Sequence, residues 1–402
     1  MTQRFAEISR ALAAAGLDGW LFYDFRLSDP IAYRVLGLSE HGTTTRRWFC
    51  YVAARGDARA LVSAVEAHRL DSLGLEPVVY QSSEQMIAGL STILSGARRV
   101  AMNYSPRGAI PYVSRVDAGT VELVRSLGVE VVSAADLIQE FEATLSIAQI
   151  EGHRRAGTAL GAVVDQTFAE IARRVAAGGG ATEYAIQRFM LERIERAGLV
   201  TREPPIVAAN AHSADPHFGT AERDSAPIGR GDFVLLDLWA KEPGADSVYA
   251  DITWTGFVGE AVPGYHGEIF EIVRAARDGA VELVKSRVAD GLPLSGREAD
   301  RAARGVIERA GFGAEFVHRT GHSIGREVHG MGANLDSLET DDDRRLIDRT
   351  CFSVEPGIYL PDRFGVRSEL DMTIESGRAE VSAPAPQRAI VPIMRSVRAT
   401  VK

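Results

Sequence analysis

Four acidic residues stand inside apolar stretches of this sequence that have the character of β-strands. Asp237 interrupts the run Phe-Val-Leu-Leu-Asp-Leu-Trp-Ala, and Asp251 interrupts Val-Tyr-Ala-Asp-Ile-Thr-Trp. Glu355 lies in Phe-Ser-Val-Glu-Pro-Gly-Ile-Tyr, where the proline predicts a sheet edge or a strand end. Glu369 lies in Gly-Val-Arg-Ser-Glu-Leu-Asp-Met. A carboxylate is costly to bury unless it is paired, hydrogen-bonded or bound to a metal, so these positions indicate a shared cation.

Histidines cluster in the same part of the chain. Of the nine histidines in 402 residues, His318, His322 and His329 fall within 12 consecutive positions. His217 is a fourth candidate, 20 residues before Asp237. Neutral imidazole binds metals, and imidazole also exchanges protons near neutral pH. These histidines are therefore candidate metal ligands or acid–base groups.

Each of these residues also has an ordinary structural explanation. A single strand aspartate is often an edge residue or a cap, a histidine near glycines is often a hydrogen-bonded loop residue, and Arg367 is a natural partner for a nearby carboxylate. Their joint occurrence favours a metal centre, because two divalent ions neutralise four buried carboxylates. An oxygen-rich set with one imidazole suits Mn²⁺ or Co²⁺, with Zn²⁺ and Fe²⁺ as alternatives, better than a cysteine-type zinc site.

The composition is that of a globular protein, and it makes several classes of protein function improbable. The chain has 45 Lys and Arg against 54 Asp and Glu, which gives a formal net charge of −9. An acidic chain without a Lys/Arg run is a poor nucleic-acid binder. Two cysteines are too few for a disulfide scaffold, the first residues lack the layout of a signal peptide, and no apolar run reaches about 18 residues. We expect a cytoplasmic protein that acts without nucleic acid or membrane.

The chain that must position the candidate residues has two parts with different predicted architectures. Residues 1–142 alternate short apolar runs with helical periodicity, which predicts a compact α/β domain. Thr2 is placed to cap its first helix. Strands are predicted over 20–25, 48–53, 60–63, 78–80 and 99–103, and helices over 83–94 and 118–127.

Residues 146–402 begin with helices and continue with interleaved strands and helices, which predicts an α+β domain around a curved sheet. Period-2 alternation puts Asp251 and Thr253 on one face of their strand, and Ile252 and Trp254 on the other. Helices are predicted over 146–175, 182–197, 268–288 and 295–310, and strands over 205–209, 233–239, 248–257, 352–354, 357–359 and 372–375.

Five of these residues, in chain order, resemble the five-ligand signature of the pita-bread metallopeptidases (family M24), the clan of methionine aminopeptidase, aminopeptidase P and prolidase: Asp237, Asp251, His322, Glu355 and Glu369. The contexts Leu-Leu-Asp, Tyr-Ala-Asp-Ile-Thr, Gly-His-Ser-Ile-Gly, Val-Glu-Pro-Gly-Ile-Tyr and Gly-Val-Arg-Ser-Glu carry the resemblance. It implies an α+β pita-bread catalytic domain with a curved antiparallel sheet over 146–402, preceded by a smaller α/β creatinase-like domain over 1–142. Two domains favour the proline-directed branch.

The resemblance also implies a role for each metal ligand. Asp237 would bind one ion. Asp251 and Glu369 would bridge both ions, and His322 and Glu355 would complete the shell of the second. The implied cofactor is two divalent metal ions per subunit, with Mn²⁺ preferred.

The implied reaction is hydrolysis of the peptide bond before proline in Xaa-Pro dipeptides. In the reaction that the resemblance implies, a hydroxide bridging the two ions would attack the carbonyl carbon, and Glu355 would shuttle the proton toward the prolyl nitrogen. His217 and His329 match family histidines that contact the substrate and the tetrahedral centre. His318 and Arg367 match positions beside the substrate, where a cation can meet its carboxylate or orient the ligands.

Two alternative functions are open at this point. An aminopeptidase P acts on longer peptides and differs in whether the cleft is closed beyond the proline. The other alternative is a metal-free creatinase-like enzyme or a non-catalytic binding protein, although such relatives typically lose several of the five ligands.

The family commonly forms homodimers, and the segment 41–48, with Arg46 and Arg47, is either a subunit contact or a solvated loop.

The sequence departs from the family pattern in three places. Asp237 and Asp251 are 14 residues apart, which predicts an enlarged hairpin loop over 241–246. Trp254 stands where the family often has arginine, and Leu370 stands where an acid is common. The last two changes affect the surroundings of the ligands and the substrate preference rather than the ligands themselves.

Overall fold

The structure is a computed structural model of the chain, and it describes residues 3–39 and 41–395. Thr2, the predicted cap of the first helix, lies outside the described residues. The chain divides into two compact units, Met1–Glu142 and Ala143–Lys402. Within the described ranges, none of the helices combines the length and the apolar character needed to cross a bilayer.

The first unit is built on a mixed sheet. Its strands are β1 (Gly19–Asp24), β2 (Trp48–Ala53), β3 (Ala58–Ser63), β4 (Val78–Tyr80), β5 (Arg99–Met102) and β6 (Glu130–Ser133). Its helices are α1 (Gln3–Ala14), α2 (Pro30–Leu36), α3 (Ser83–Ile93), α4 (Ala118–Ser126) and α5 (Ala135–Glu142). The strand order is β4-β3-β2-β1-β5-β6, and β1 runs antiparallel to β2 but parallel to β5. The predicted α/β class of this part is confirmed.

The second unit combines long helices with antiparallel strands. Its helices are α6 (Ile147–Ala176), α7 (Glu183–Arg196), α8 (Gly264–Ala289) and α9 (Gly296–Arg309). Its strands are β7 (Ile206–Ala209), β8 (Phe233–Ala240), β9 (Ala250–Phe257), β10 (Ser323–Ile324), β11 (Thr350–Val354), β12 (Gly357–Leu360), β13 (Phe364–Arg367), β14 (Leu370–Glu375), β15 (Arg378–Val381) and β16 (Val391–Pro392). The sheets are β16-β9-β8-β7, β10-β11-β14-β15 and β12-β13, and their pairings are antiparallel except between β16 and β9. The predicted α+β class is confirmed.

Local signals explain where the helices begin. Ser146 starts α6 with a capping box that it shares with Gln149, and the Thr182 side chain accepts a hydrogen bond from the Ala185 amide at the start of α7. Helix α8 begins at Gly264, four residues before its predicted start at 268. Glycine is a poor helix former, so the first turn of α8 lacked a helical signal in the sequence.

Two apolar cores position the strands that carry the candidate site. One core packs α6 and α7 against β8 and β9, and it includes Leu160, Leu236 and Ile252. The other packs α8 and α9 against β11, β13 and β14. Because Ile252 points into the first core, its neighbours Asp251 and Thr253 point to the opposite face of β9. This is the alternation that the sequence predicts.

Candidate metal centre

The β8–β9 hairpin carries the two candidate aspartates. Its register pairs Asp237 with Thr253 and Trp239 with Asp251, so all four side chains project from one face of the hairpin. The Thr253 hydroxyl lies 2.9 Å from Asp237 Oδ1. The connection between the two strands runs over 241–249 and includes the predicted loop residues 241–246.

The two candidate glutamates lie at one end of the β11–β14 ladder. Val354 pairs with Leu370 at this end. Glu355 directly follows β11 and Glu369 directly precedes β14, so the two residues are brought together. Pro356 separates β11 from β12, which confirms the predicted strand end.

A glycine allows His322 to approach the same place. A Cβ atom on Gly321 would lie 2.0 Å from the carbonyl oxygen of Ser353, so only glycine fits there. Ser353 then links two candidate residues. Its hydroxyl accepts a hydrogen bond from the His322 amide at 3.0 Å and donates one to Glu355 Oε1 at 3.0 Å.

We expect Gly321→Ala to destabilise the second unit, because the new methyl group collides with backbone and not with a side chain that can move. The free energy of unfolding should fall by at least about 2 kcal/mol in urea denaturation. Gly325→Ala is the control, since the nearest atom to a Cβ there is 3.9 Å away, and it should cost less than about 0.5 kcal/mol. Equal losses in the two variants would contradict the steric explanation.

Asp251, His322 and Glu369 form a buried group in which one ligand atom from each residue lies within 4.8 Å of the others. His322 Nδ1 donates to the carbonyl oxygen of Ser323 at 3.1 Å. Its Nε2 lies 3.6 Å from Asp251 Oδ2 and 3.3 Å from Glu355 Oε1. Burial lowers the pKa of His322 to about 3, so the ring is neutral and the Nε2 lone pair faces carboxylates. A metal ion between these groups would bind both the imidazole lone pair and the carboxylate oxygens.

Arg367 is a buried cation that contacts two further candidate ligands. It is 5% exposed and pairs with Asp237, and its Nε lies 3.9 Å from Glu355. It also donates to the Thr253 hydroxyl at 2.9 Å and to the Tyr359 hydroxyl at 3.2 Å. Asp237 and Glu355 therefore share one buried cation, which holds Asp237 in place.

The carboxylates at this site carry more negative charge than the protein around them neutralises. Burial and neighbouring carboxylates raise the pKa values of Asp251 and Glu369 well above the usual range. Burial also raises the pKa of Asp237, against the opposing effect of Arg367. Among the described residues, Asp251 Oδ1 is buried without a hydrogen-bond partner. The one proton of the Thr253 hydroxyl faces both Asp237, at 2.9 Å, and Glu369, at 2.6 Å. A divalent cation satisfies the unpaired oxygen and removes the repulsion, so the donor set fits a metal.

His329 and His318 contact the site through different residues. The exposed His329 meets His322 edge to face, with 4.4 Å between the ring centroids. His318 is engaged through both nitrogens, since Nδ1 donates to the Arg319 carbonyl at 2.6 Å and Nε2 accepts from the Tyr359 hydroxyl at 2.7 Å. His329 thus adjoins the ligand group directly, whereas His318 reaches it through Tyr359.

His217 lies on an exposed loop beside Asp237. Its backbone amide donates to Asp215 Oδ1 at 3.0 Å, and the carbonyl of the preceding Pro216 accepts a hydrogen bond from Arg367 at 3.2 Å. The loop is therefore attached to the arginine that holds Asp237. The structure brings all nine predicted site residues into one region.

Three residues of the site were not predicted from the sequence: Thr253, Ser353 and Tyr359. The alternation along β9 placed Thr253 on the face of Asp251, and this was a usable signal. Ser353 and Tyr359 gave none, because their bonds to the histidines His322 and His318 span 31 and 41 positions, although Glu355 and Arg367 are nearer partners in the chain. Only the folded chain reveals these contacts.

The comparison with known proteins identifies the class. The sequence pattern of metallopeptidase family M24 matches residues 151–376, which is more than half of the chain, and the chain belongs to this family of hydrolases. The family resemblance inferred from the five ligands is confirmed.

Particular relatives are dipeptidases. The chain is 27% identical to "Probable dipeptidase PepE" of Mycobacterium bovis over 402 residues, which covers 97% of this chain and 96% of the relative. It is 34% identical to "Xaa-Pro dipeptidase" of Lactobacillus delbrueckii subsp. lactis over 192 residues, which covers 47% of this chain and 48% of the relative. The crystal structure of dipeptidase PepE from Mycobacterium ulcerans has the same fold, with a TM-score of 0.69 at 24% identity over 97% of each chain.

Proposed function

We propose that this protein is a dinuclear metal hydrolase that cleaves the peptide bond before proline in Xaa-Pro dipeptides. The observation that carries the proposal is the neutral His322, whose free Nε2 faces the carboxylates of the buried Asp251 and the partly buried Glu355. The names of the relatives support the dipeptide substrate, since both are called dipeptidases.

The charge at the site supports two ions. Asp237, Asp251, Glu355 and Glu369 carry four negative charges, and Arg367 supplies one positive charge. Three negative charges then remain, which is more than one divalent ion neutralises.

The arrangement of the ligands suggests how they divide the two ions. Asp251 and Glu369 form one group with His322, Glu369 shares the Thr253 hydroxyl with Asp237, and His322 Nε2 lies 3.3 Å from Glu355. We therefore propose Asp251 and Glu369 as bridging ligands. The predominance of carboxylate oxygens favours Mn²⁺, with Co²⁺, Zn²⁺ and Fe²⁺ as alternatives.

When bound, the two ions supply an activated water and polarise the scissile carbonyl group. Glu355 is the proposed proton shuttle. Its Oε1 accepts a hydrogen bond from Ser353 at 3.0 Å, which orients the carboxylate, and its side chain is 12% exposed at the edge of the site. It can accept the proton of the water and return it to the prolyl nitrogen.

The remaining site residues act on the substrate in this proposal. His329 and His217, both exposed beside the ligands, stabilise the oxyanion and orient the peptide. Arg367 and His318 meet through Tyr359 and form the proposed substrate-binding wall. The buried Arg367 also holds Asp237 in place, so its effect reaches the substrate through the metal ligand.

The proposal is tested with metal-free protein and a panel of peptides. Adding Mn²⁺ should restore hydrolysis of Xaa-Pro dipeptides, with Xaa-Ala dipeptides and Xaa-Pro-Yaa tripeptides as controls. Preference for the tripeptide would support an aminopeptidase P instead. Less than one equivalent of bound metal, together with no activity after Mn²⁺ is added, would support a metal-free relative.

We also propose that the protein is a homodimer in the cytoplasm. Thr45 donates its amide and hydroxyl to Glu66 at 2.7 and 2.6 Å, which anchors the segment 41–48 and leaves Arg46 exposed for a subunit contact. The cysteines Cys50 and Cys351 are free thiols, which fits a reducing compartment. Sedimentation should give a dimer mass, and a monomer at every concentration contradicts the proposal.

A further inference from the structure

Arg277 is a charged residue in the interior of the second unit, away from the candidate ligands. It lies on α8 and is 1% exposed, which is rare for arginine. Its Nη1 donates to the Ser368 hydroxyl at 2.6 Å and to the Gln387 carbonyl at 2.9 Å. Its Nε and Nη2 contact Asp278 at 3.0 and 2.7 Å, so the charge is paired. Burying this cation is costly. Its hydrogen bonds identify the segments of the chain that it fixes in place.

Ser368 and Glu369 form the link between β13 and β14, and Ser368 separates Arg367 from Glu369. The backbone of this link is weakly held. The Ser368 amide is 3.4 Å from the Pro356 carbonyl, and the Glu369 amide is 3.4 Å from the Thr253 carbonyl. Both distances are long for N–H···O bonds. The short charge-assisted bond from Arg277 is therefore the stronger restraint on the link.

Gln387 connects the same arginine to β9. Its Oε1 accepts from the Thr255 amide at 2.9 Å, and its Nε2 donates to the Thr255 carbonyl at 2.6 Å. Arg277, Ser368, Gln387 and Thr255 therefore form a buried polar bridge from the Glu369 link to the strand that carries Asp251.

We infer that Arg277 is a positioning residue of the metal centre, which sets the spacing of Glu369 and Asp251 through the polar bridge and thereby the affinity for divalent cations. The inference rests on the proposed metal-binding function. Both carboxylates belong to the group whose ligand atoms lie within 4.8 Å of one another, so a shift of the link moves one ligand relative to the other. Partners behind metal ligands typically change metal affinity by about 10–100-fold.

The test is calorimetric titration of the metal-free full chain with Mn²⁺, without any activity assay. Ser368→Ala removes the hydroxyl that Arg277 contacts and leaves the arginine its bonds to Gln387 and Asp278. We expect the Mn²⁺ dissociation constant to rise about 10–100-fold. Arg277→Met should have an effect at least as large, and Ser368→Ala decides the question if the methionine variant does not fold.

Two controls match these variants. Arg274→Met lies on the same helix and removes a partly exposed arginine that also pairs with Asp278. Ser382→Ala removes a buried hydroxyl that has no hydrogen-bond partner among the described residues. Both should leave the Mn²⁺ dissociation constant within about twofold, since neither touches the polar bridge.

A merely structural arginine would give a different pattern. In that case Ser368→Ala would lower the melting temperature of the metal-free protein but leave its Mn²⁺ affinity equal to that of the unchanged chain. This result would overturn the inference about Arg277 and would leave the proposed function standing. Failure of the unchanged chain to bind Mn²⁺, Co²⁺ or Zn²⁺ would overturn the proposed function and the inference together. Titration of the unchanged chain with these metals therefore distinguishes failure of the inference from failure of the proposed function.

Discussion

Replacing Glu369 by glutamine is expected to lower Mn²⁺-dependent hydrolysis of an Xaa-Pro dipeptide by at least about 1000-fold, because a proposed bridging ligand is lost. Glu369 belongs to the three-residue ligand group and shares the Thr253 hydroxyl with Asp237. An amide at this position has no negative charge and cannot bridge two cations. The variant should therefore also lose the rise in melting temperature that Mn²⁺ gives the unchanged chain.

A glutamate on the same strand provides the control for this prediction. Glu375 lies at the far end of β14 and pairs with Arg154 at 3.2 Å. Glu375→Gln should leave both kcat/KM and metal content within about twofold, because a partly exposed ion pair contributes little. Metal content by mass spectrometry and steady-state kinetics check both variants. A Glu369→Gln protein that keeps two metal equivalents contradicts the assigned role.

Glu355→Gln is expected to reduce kcat by about 100- to 10,000-fold, with a smaller loss of metal affinity than in Glu369→Gln. The amide oxygen can still accept the Ser353 hydrogen bond and contact a metal ion, but the amide cannot take a proton from water. The loss should therefore fall mainly on the chemical step. Because substrate contacts are unchanged, KM should move by less than about threefold.

The comparison of these two glutamate variants separates a ligand from a proton shuttle. Single-turnover kinetics with metal-saturated protein measure the chemical step directly. If Glu355→Gln loses metal as completely as Glu369→Gln, the residue acts as a ligand only. If it keeps both metal and activity, the shuttle role is wrong.

Local sequence signals predicted a helix or strand best where a capping residue or the limit of an apolar run marks its ends. Strand β2 covers the predicted 48–53, and β4 covers the predicted 78–80. Helices α6 and α7 begin directly after the capping residues Ser146 and Thr182. Caps and apolar runs act over a few residues, so they are readable without the fold.

Elements that depend on a distant partner were not predicted. Strand β10 has two residues, and it is a strand because it pairs with β11. Strands β6, β13, β15 and β16 were also missed, and each has four residues or fewer. Segments this short carry little periodicity, and the partner strand decides their conformation.

The residue types and their apolar settings were enough to predict a metal centre, because a carboxylate inside an apolar strand is costly unless a cation is present. Tertiary structure decided how these groups meet. The contact between Thr253 and Glu369 spans 116 positions, and that between Arg277 and Ser368 spans 91. No local pattern encodes such pairs, since packing of separate sheets and helices creates them. The free Nε2 of His322 likewise depends on burial and on the Ser323 carbonyl, which only the folded chain provides.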